Sequence, residues 1–265
     1  MTDVDTDAGA PPRPARVALF TSCMGDLAAG GPARATVEVL EAMGVTVELP
    51  RGQTCCGQPA LNSGHPAEAG ALLDRWLRIF APYDAVVTPA GSCAAYLHHH
   101  LGRLREPTPE QRALIQRTYE FSQFVVAYGA GLRLRLPGSV TYHDSCHMAR
   151  TLGERRAPRE LLSRIAELEV REMAGCDTCC GFGGTFAAKF PDVSVAMADT
   201  KLGTVAASGA DWLVSADPGC LLHLSGRARK AGPPVRTRHL AEIVRDALVP
   251  AEVPAGTGAA TEVPA

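Results

Sequence analysis

Apolar residues along this chain fall into two alternating rhythms. Short runs rich in Val, Leu and Ala are each followed by stretches whose apolar positions recur three and four residues apart. Val17 to Phe20 reads as a strand. Pro32 then opens a helix with Ala33, Val37 and Leu40 on one face, and Gly44 closes it. Val45 to Leu49 reads as the next strand, Ala69, Leu72, Leu73, Trp76, Leu77 and Phe80 follow at helical spacing, and Ala85 to Thr88 makes a third strand. Val140 to His143, Leu168 to Arg171 and Trp212 to Ser215 are the equivalent strands further on, with Gly209 ending the helix before the last. Pro107 to Tyr128, with Leu114, Phe121, Val125 and Tyr128 on one helical face, reads as a linking helix, and Gly129 to Gly138 as the boundary. Alternation of this kind argues for an α/β fold of two duplicated Rossmann-like halves, each a parallel sheet with crossover helices. The expected halves are 16–128 and 139–249, between flexible tails at 1–15 and 250–265.

Composition narrows the possible functions. Hydrophobic residues at 46% and charged residues at 20% suit a globular protein, and no apolar run reaches the ~20 residues of a membrane span. The opening residues are acidic and then proline-rich, without the apolar segment of a secretory signal. A formal charge of -2 without a basic run gives no reason to expect nucleic acid. Nine cysteines in a chain with no sign of export point to a cytoplasmic protein with reduced thiols, and an odd count suits metal or thiol chemistry better than a disulfide framework.

The cysteines repeat. Cys23, Cys55-Cys56-Gly57 and Cys93 are matched by Cys146, Cys179-Cys180-Gly181 and Cys220, at offsets of 123, 124, 124 and 127. VVTPAGSC before Cys93 reads like LVSADPGC before Cys220, so the chain is an internal duplication. In each half the cysteines come after expected strands, and open parallel sheets bind ligands at the carboxyl ends of their strands. Four thiols per half then meet at one edge, the number required by a cubane iron-sulfur cluster or a structural zinc. The glycine after each pair lets the backbone approach closely and donate to sulfur. An adjacent pair with distant singles fits the close C-x-x-C pairs of zinc sites badly, and the ferredoxin spacing is absent, so spacing alone does not name the metal.

The pattern Cys, about thirty residues, Cys-Cys-Gly, about thirty-six residues, Cys resembles the cysteine-rich CCG domain found in heterodisulfide reductase, where two copies are also expected. TYHDSCHMAR (141–150), CCGFGGTFAAKFPDVSVAM (179–197) and SADPGCLLH (215–223) are similar to the lactate utilisation protein A family, a resemblance covering roughly 16–249. It implies an iron-sulfur cluster, of the 4Fe-4S type, held by Cys23, Cys55, Cys56, Cys93, Cys146, Cys179, Cys180 and Cys220. It further implies electron transfer within an oxidoreductase complex that oxidises a 2-hydroxy acid, L-lactate to pyruvate, with an iron-sulfur partner subunit and a third subunit. The family also includes proteins described as glycolate oxidase iron-sulfur subunits. The full CCG motif ends in C-x-x-C, whereas Tyr96 and His223 stand at the final positions here. A fifth sulfur is thus missing in both halves, which favours an ordinary four-iron cluster over the non-cubane form. Two other functions stay open, a thiol-disulfide oxidoreductase like the heterodisulfide enzyme and a zinc-stabilised assembly module.

Several further residues have competing roles. His223 could supply a nitrogen ligand, but a hydrogen bond to the site is the expected role. Cys176, in C-x-x-C with Cys179, reads as an incidental thiol. His143, Asp144 and His147 around Cys146 could carry protons or orient the loop. Gly181-Phe182-Gly183-Gly184 lacks dinucleotide-loop spacing and belongs with the cysteine pair, and His98-His99-His100 reads as a solvated helix end. No residue is assigned a catalytic role. The histidines beside the second set of cysteines make the two halves inequivalent.

Overall fold

The continuous apolar runs of the strands are explained by two cores, one on each face of a sheet. In the computed structural model, which describes residues 13–27 and 30–249, Val17, Ala85 and Val87 face a core between the halves, while Ala18, Phe20 and Val86 face the opposite way. A parallel sheet covered on both sides reads as a continuous apolar run, as these strands do.

The first half runs β1 (Arg16–Leu19), α1 (Cys23–Leu27), α2 (Gly31–Ala42), β2 (Thr46–Glu48), α3 (Gln58–Asn62), α4 (Pro66–Phe80), β3 (Ala85–Thr88), α5 (Gly91–Leu104), α6 (Pro109–Gln116), β4 (Thr118–Glu120) and α7 (Phe121–Tyr128). The second runs β5 (Arg135–Tyr142), a π-helical turn (His147–Thr151), α8 (Arg156–Ser163), β6 (Ala166–Val170), α9 (Thr185–Lys189), α10 (Pro191–Ser208), β7 (Trp212–Ser215), α11 (Pro218–Ala231), β8 (Arg236–His239) and α12 (Leu240–Asp246). Each half holds a four-stranded, all-parallel sheet, ordered β2-β1-β3-β4 and β6-β5-β7-β8. The two Rossmann-like halves are therefore present with the same strand order. In both, the direction of chain progression reverses beside the first strand, which opens a crevice at the carboxyl ends of β1 and β3 and of β5 and β7.

Helices α2 and α12 pack together between the sheets, as do α7 and α8. They carry a central core that takes in Val39, Leu40, Leu240 and Val244, together with Phe124 and Leu161. Trp76, Phe80, Tyr96 and Leu97 cover the outer face of the first sheet, and Leu202, Val205 and Leu224 that of the second. Phe20, Trp76 and Phe80 form an edge-on and stacked aromatic trio with centroids 4.8 to 6.0 Å apart. Among the described residues, no helix is long and apolar enough to cross a membrane. Of the expected tails, residues 1–12 and 250–265 lie outside the described residues.

One expectation is overturned. The segment Pro107 to Tyr128 is a helix, a strand and a second helix, with Leu114 in the outer core and Phe121 and Val125 in the central one. Two helix starts lie within it. Thr108 with Gln111, and Glu120 with Gln123, each form a capping box in which side chain and backbone exchange hydrogen bonds. The π-helical turn and the pair β8–α12 are further elements that the periodicity leaves unannounced, and β5 begins at Arg135 inside the expected boundary.

Glu120 links β4 to α7. Its Oε2 accepts from the Ser122 N–H at 2.8 Å and from the Ser122 hydroxyl, while Oε1 has no partner. Burial pushes its carboxyl up to about 8. An unfolded chain releases this proton near the ordinary glutamate value of 4.5, so between there and pH 8 the native state holds a proton that the unfolded state has lost. Native stability accordingly falls as pH rises through that window. Glu120→Gln keeps the acceptor for Ser122 and removes the ionisation. Its stability relative to the parent should rise by roughly 1–4 kcal/mol between pH 5 and pH 9 in denaturant titrations, and a pH-independent difference would refute the assignment.

Candidate metal centre

The carboxyl ends of β1, β2 and β3 deliver Cys23, Cys55–Cys56 and Cys93, and those of β5, β6 and β7 deliver Cys146, Cys179–Cys180 and Cys220. All eight thiols line one cavity of about 130 Å³ between the halves. The sequence separates the two sets, and the tertiary structure turns them toward one another. Cys23 Sγ lies 3.6 Å from Cys55 Sγ. Cys56 stands within interaction range of Cys55 and Cys93, as Cys180 does of Cys179 and Cys220. All nine cysteines are free, and Cys176 is not among the cavity residues.

Local backbone explains the loops. Gly57 at φ 106° and Gly181 at φ 89° occupy the left-handed region, and their N–H groups donate to Cys55 Sγ at 3.5 Å and Cys179 Sγ at 3.4 Å. A side chain at Gly181 would meet the Ser194 carbonyl at 2.5 Å, and one at Gly57 would meet the Tyr96 hydroxyl at 2.9 Å. Cys93 and Cys220 each fall in the first turn of a helix, α5 and α11, where the helix dipole favours a thiolate. The GFGG run lines the cavity through Phe182, Gly183 and Gly184.

Asp217 ties the two sets together. Its Oδ1 accepts from Gly219 N–H at 3.1 Å, capping α11, and its Oδ2 accepts from Ser92 N–H at 2.9 Å, at the start of α5 in the other half. Ala90, at the N-cap of α5, has no side-chain cap of its own, and Gly91 N–H donates to the Ala216 carbonyl at 2.9 Å. One carboxylate of the second half thus serves both cysteine-bearing helices.

Thiols this close cannot ionise independently. Neighbouring Cys23 and Cys56, with Gly57 N–H, hold Cys55 down at about 3, and Cys146 and Cys180 hold Cys179 down at about 2. Conversely, Cys23, Cys56, Cys146 and Cys180 are raised, mainly by their thiol neighbours. A second or third thiolate in each set requires positive charge to offset it, which a metal centre supplies and no Lys or Arg among the cavity residues does. Four converging sulfurs per half, backbone donors aimed at them and the common cavity therefore fit an iron-sulfur or zinc centre.

The second half is the more polar. His143 is fully buried where the first half has Phe20, and its Nδ1 lies 3.2 Å from the Cys176 carbonyl. His147 Nδ1 is 3.6 Å from Cys146 Sγ. Asp144 is buried and paired in a fork with Arg159 at 2.9 and 3.1 Å, and Arg159 also reaches Glu172 at 2.6 Å. Buried Lys201 donates to the carbonyls of Gly175 and Cys176 at 2.6 and 3.1 Å, bracing the loop before the cysteine pair. The Cys176 thiol faces Asp144 and Arg159 at 3.6 and 3.7 Å. His223 shares a 3.3 Å contact with Ser194, which bonds the Gly181 carbonyl, so it steadies the glycine loop. His98 Nε2 lies 2.8 Å from the Thr118 carbonyl and His100 stacks on Tyr96, so this triplet is in part tied to the fold.

Sequence reasoning misses Asp217, Arg159 and Lys201. Two of them leave a local signal, Asp217 as an N-cap directly before Pro218 and Lys201 as a charged residue on the buried stripe of α10 with Ala198, Leu202 and Val205.

The cysteine-rich domain family CCG matches residues 17–98 and 140–225, which include all eight repeated cysteines. Lactate utilization protein A of Geobacillus thermodenitrificans (strain NG80-2) is 43% identical, over 86% of this chain and 98% of that protein. The protein of the same name from Halalkalibacterium halodurans is 41% identical, over 86% of this chain and 96% of its own. A hypothetical protein from Helicobacter pylori shares the fold at a TM-score of 0.54 and 14% identity, covering 89% of this chain and 49% of that one.

The Asp217 bridge makes a prediction across the halves. Asp217→Ala should cost about 2–3 kcal/mol, as two lost caps, and should speed amide exchange at Ser92 and Cys93 although the substitution lies in the other half. Faster exchange confined to α11 would refute the bridge.

Proposed function

The chain belongs to the lactate utilization protein A family and to the cysteine-rich CCG domain family, and from that membership we propose that it is an iron-sulfur electron-transfer subunit of a complex oxidising L-lactate to pyruvate. The observation that carries the reading is the convergence of eight thiols, as two sets of four, on one cavity. Cys23, Cys55, Cys56 and Cys93 hold one centre and Cys146, Cys179, Cys180 and Cys220 the other, each of the 4Fe-4S type. Bound there, such centres accept and release single electrons.

The chain's own residues set the surroundings. Gly57 and Gly181 N–H groups donate to sulfur and ease the burden of negative charge, and the first turns of α5 and α11 act in the same sense. Burial of Cys56, Cys93, Cys180 and Cys220 keeps water from those sulfurs, while Cys23, Cys55, Cys146 and Cys179 are half-buried. No dinucleotide loop accompanies them, so the hydride acceptor belongs to another subunit. An iron-sulfur partner subunit and a third subunit complete the complex. The two halves, 16–128 and 139–249, are its domains, and nine free thiols suit the cytoplasm.

A zinc-stabilised module has one observation in its favour. The 3.6 Å between Cys23 and Cys55 sulfurs is near the ~3.8 Å separation of two thiolates on one tetrahedral zinc.

Anaerobic purification with iron and sulfide counting separates the two. The expected result is a coloured protein containing iron and sulfide that bleaches in air and is reduced by lactate only with its partner subunits. Cys56→Ser and Cys180→Ser should each remove the iron of one half. Colourless protein with stoichiometric zinc would overturn the reading.

A further inference from the structure

Among the residues that line the shared cavity, Asp217 alone carries a carboxylate, guanidinium or ammonium group. It is buried, so solvent and salt do little to screen its charge. Oδ1 accepts from Gly219 N–H, next to Cys220, and Oδ2 accepts from Ser92 N–H, next to Cys93. A carboxylate presents two acceptor oxygens where an amide presents one, so the bridge between the halves brings a full negative charge with it. Backbone donors at both oxygens and the N-terminus of the 14-residue α11 favour the ionised form.

The duplication shows that this charge is no part of the basic cysteine scaffold. Cys93 and Cys220 are equivalent at an offset of 127, which sets Ala90 opposite Asp217. Ala90 also lines the cavity and carries no charge. The thiols whose ionisation Asp217 opposes are Cys146 and Cys220, both of the second set. A carboxylate that disfavours a neighbouring thiolate disfavours an added electron for the same Coulombic reason. Arg159 and Lys201 do not line the cavity, and they are engaged by Asp144, Glu172 and backbone carbonyls.

We propose that Asp217 sets the reduction potentials of the paired centres, its fixed negative charge making the second centre, and to a smaller degree the first, harder to reduce. This rests on the iron-sulfur reading above. The charge biases an electron shared between the centres toward the first half, where Ala90 stands at the matching place.

Full-length protein purified anaerobically is titrated potentiometrically and followed by electron paramagnetic resonance. Cys56→Ser, which retains only the second centre, assigns the two potentials. Asp217→Asn and Asp217→Ser should each move the one-electron equilibrium of the second centre toward reduction by about tenfold, equivalent to about 59 mV, with a smaller shift at the first. Asp217→Glu, which keeps the charge, should stay near the parent value. An unchanged second potential in folded, iron-loaded Asp217→Asn overturns the proposal, as does a larger shift at the first centre or a Glu variant that moves as far as the Asn variant. In unsubstituted protein labelled with 13C-aspartate, redox-difference infrared spectra should show an aspartate carboxylate band that moves on reduction. Absence of that band overturns the proposal even if no variant folds. Iron-loaded protein whose potential is indifferent to residue 217 refutes this inference alone, whereas absence of iron refutes the function proposed above as well.

Discussion

Eight thiols around one cavity cannot all be thiolates without a cation among them, and that electrostatic conflict governs the site. Ionisation of Cys55 or Cys179 is eased by neighbouring thiols that donate to it, and the same proximity raises Cys23, Cys56, Cys146 and Cys180. The fold supplies the close approach, with glycines in the left-handed region after each pair and helix starts beneath Cys93 and Cys220. What it withholds is charge compensation from side chains at the sulfurs. Arg159 and Lys201, the cationic groups behind the second cysteine loop, are engaged by Asp144, Glu172 and backbone carbonyls.

Duplication explains the shape of the cavity but not its chemistry. Two sheets of identical strand order face a shared core, and this brings the equivalent strand ends together. The halves then diverge. The first fills the positions of His143 and His223 with Phe20 and Tyr96 and packs them into an aromatic wall. The second keeps imidazoles and a buried Asp144–Arg159 fork, features that need well-aligned partners in low dielectric and so hold their loop in one arrangement. Asp217 joins the unlike halves by supplying the helix cap that Ala90 lacks.

The cysteine spacing and the strand rhythm were legible because both are local. Val17, Ala18, Phe20 and Ala85 to Thr88 announce buried parallel strands through their own residue types, and Gly209 marks a helix end through its left-handed backbone. Reading Pro107 to Tyr128 as one helix failed because Leu114, Phe121 and Val125 share a helical spacing without sharing a core. The capping signals at Thr108 and Glu120 were stronger evidence than the periodicity.

The sequence by itself determined the duplication, the parallel α/β halves and the identity of the eight cysteines, since composition, period and glycine placement act over a few residues at a time. Tertiary structure alone decided that both sets open on one cavity, that Asp217 caps a helix more than a hundred residues away, and that a ring nitrogen of buried His143 lies within 4.8 Å of the Cys180 and Cys220 sulfurs. Those are matters of distance between segments, and distance is settled only when the two sheets pack through α2, α7, α8 and α12.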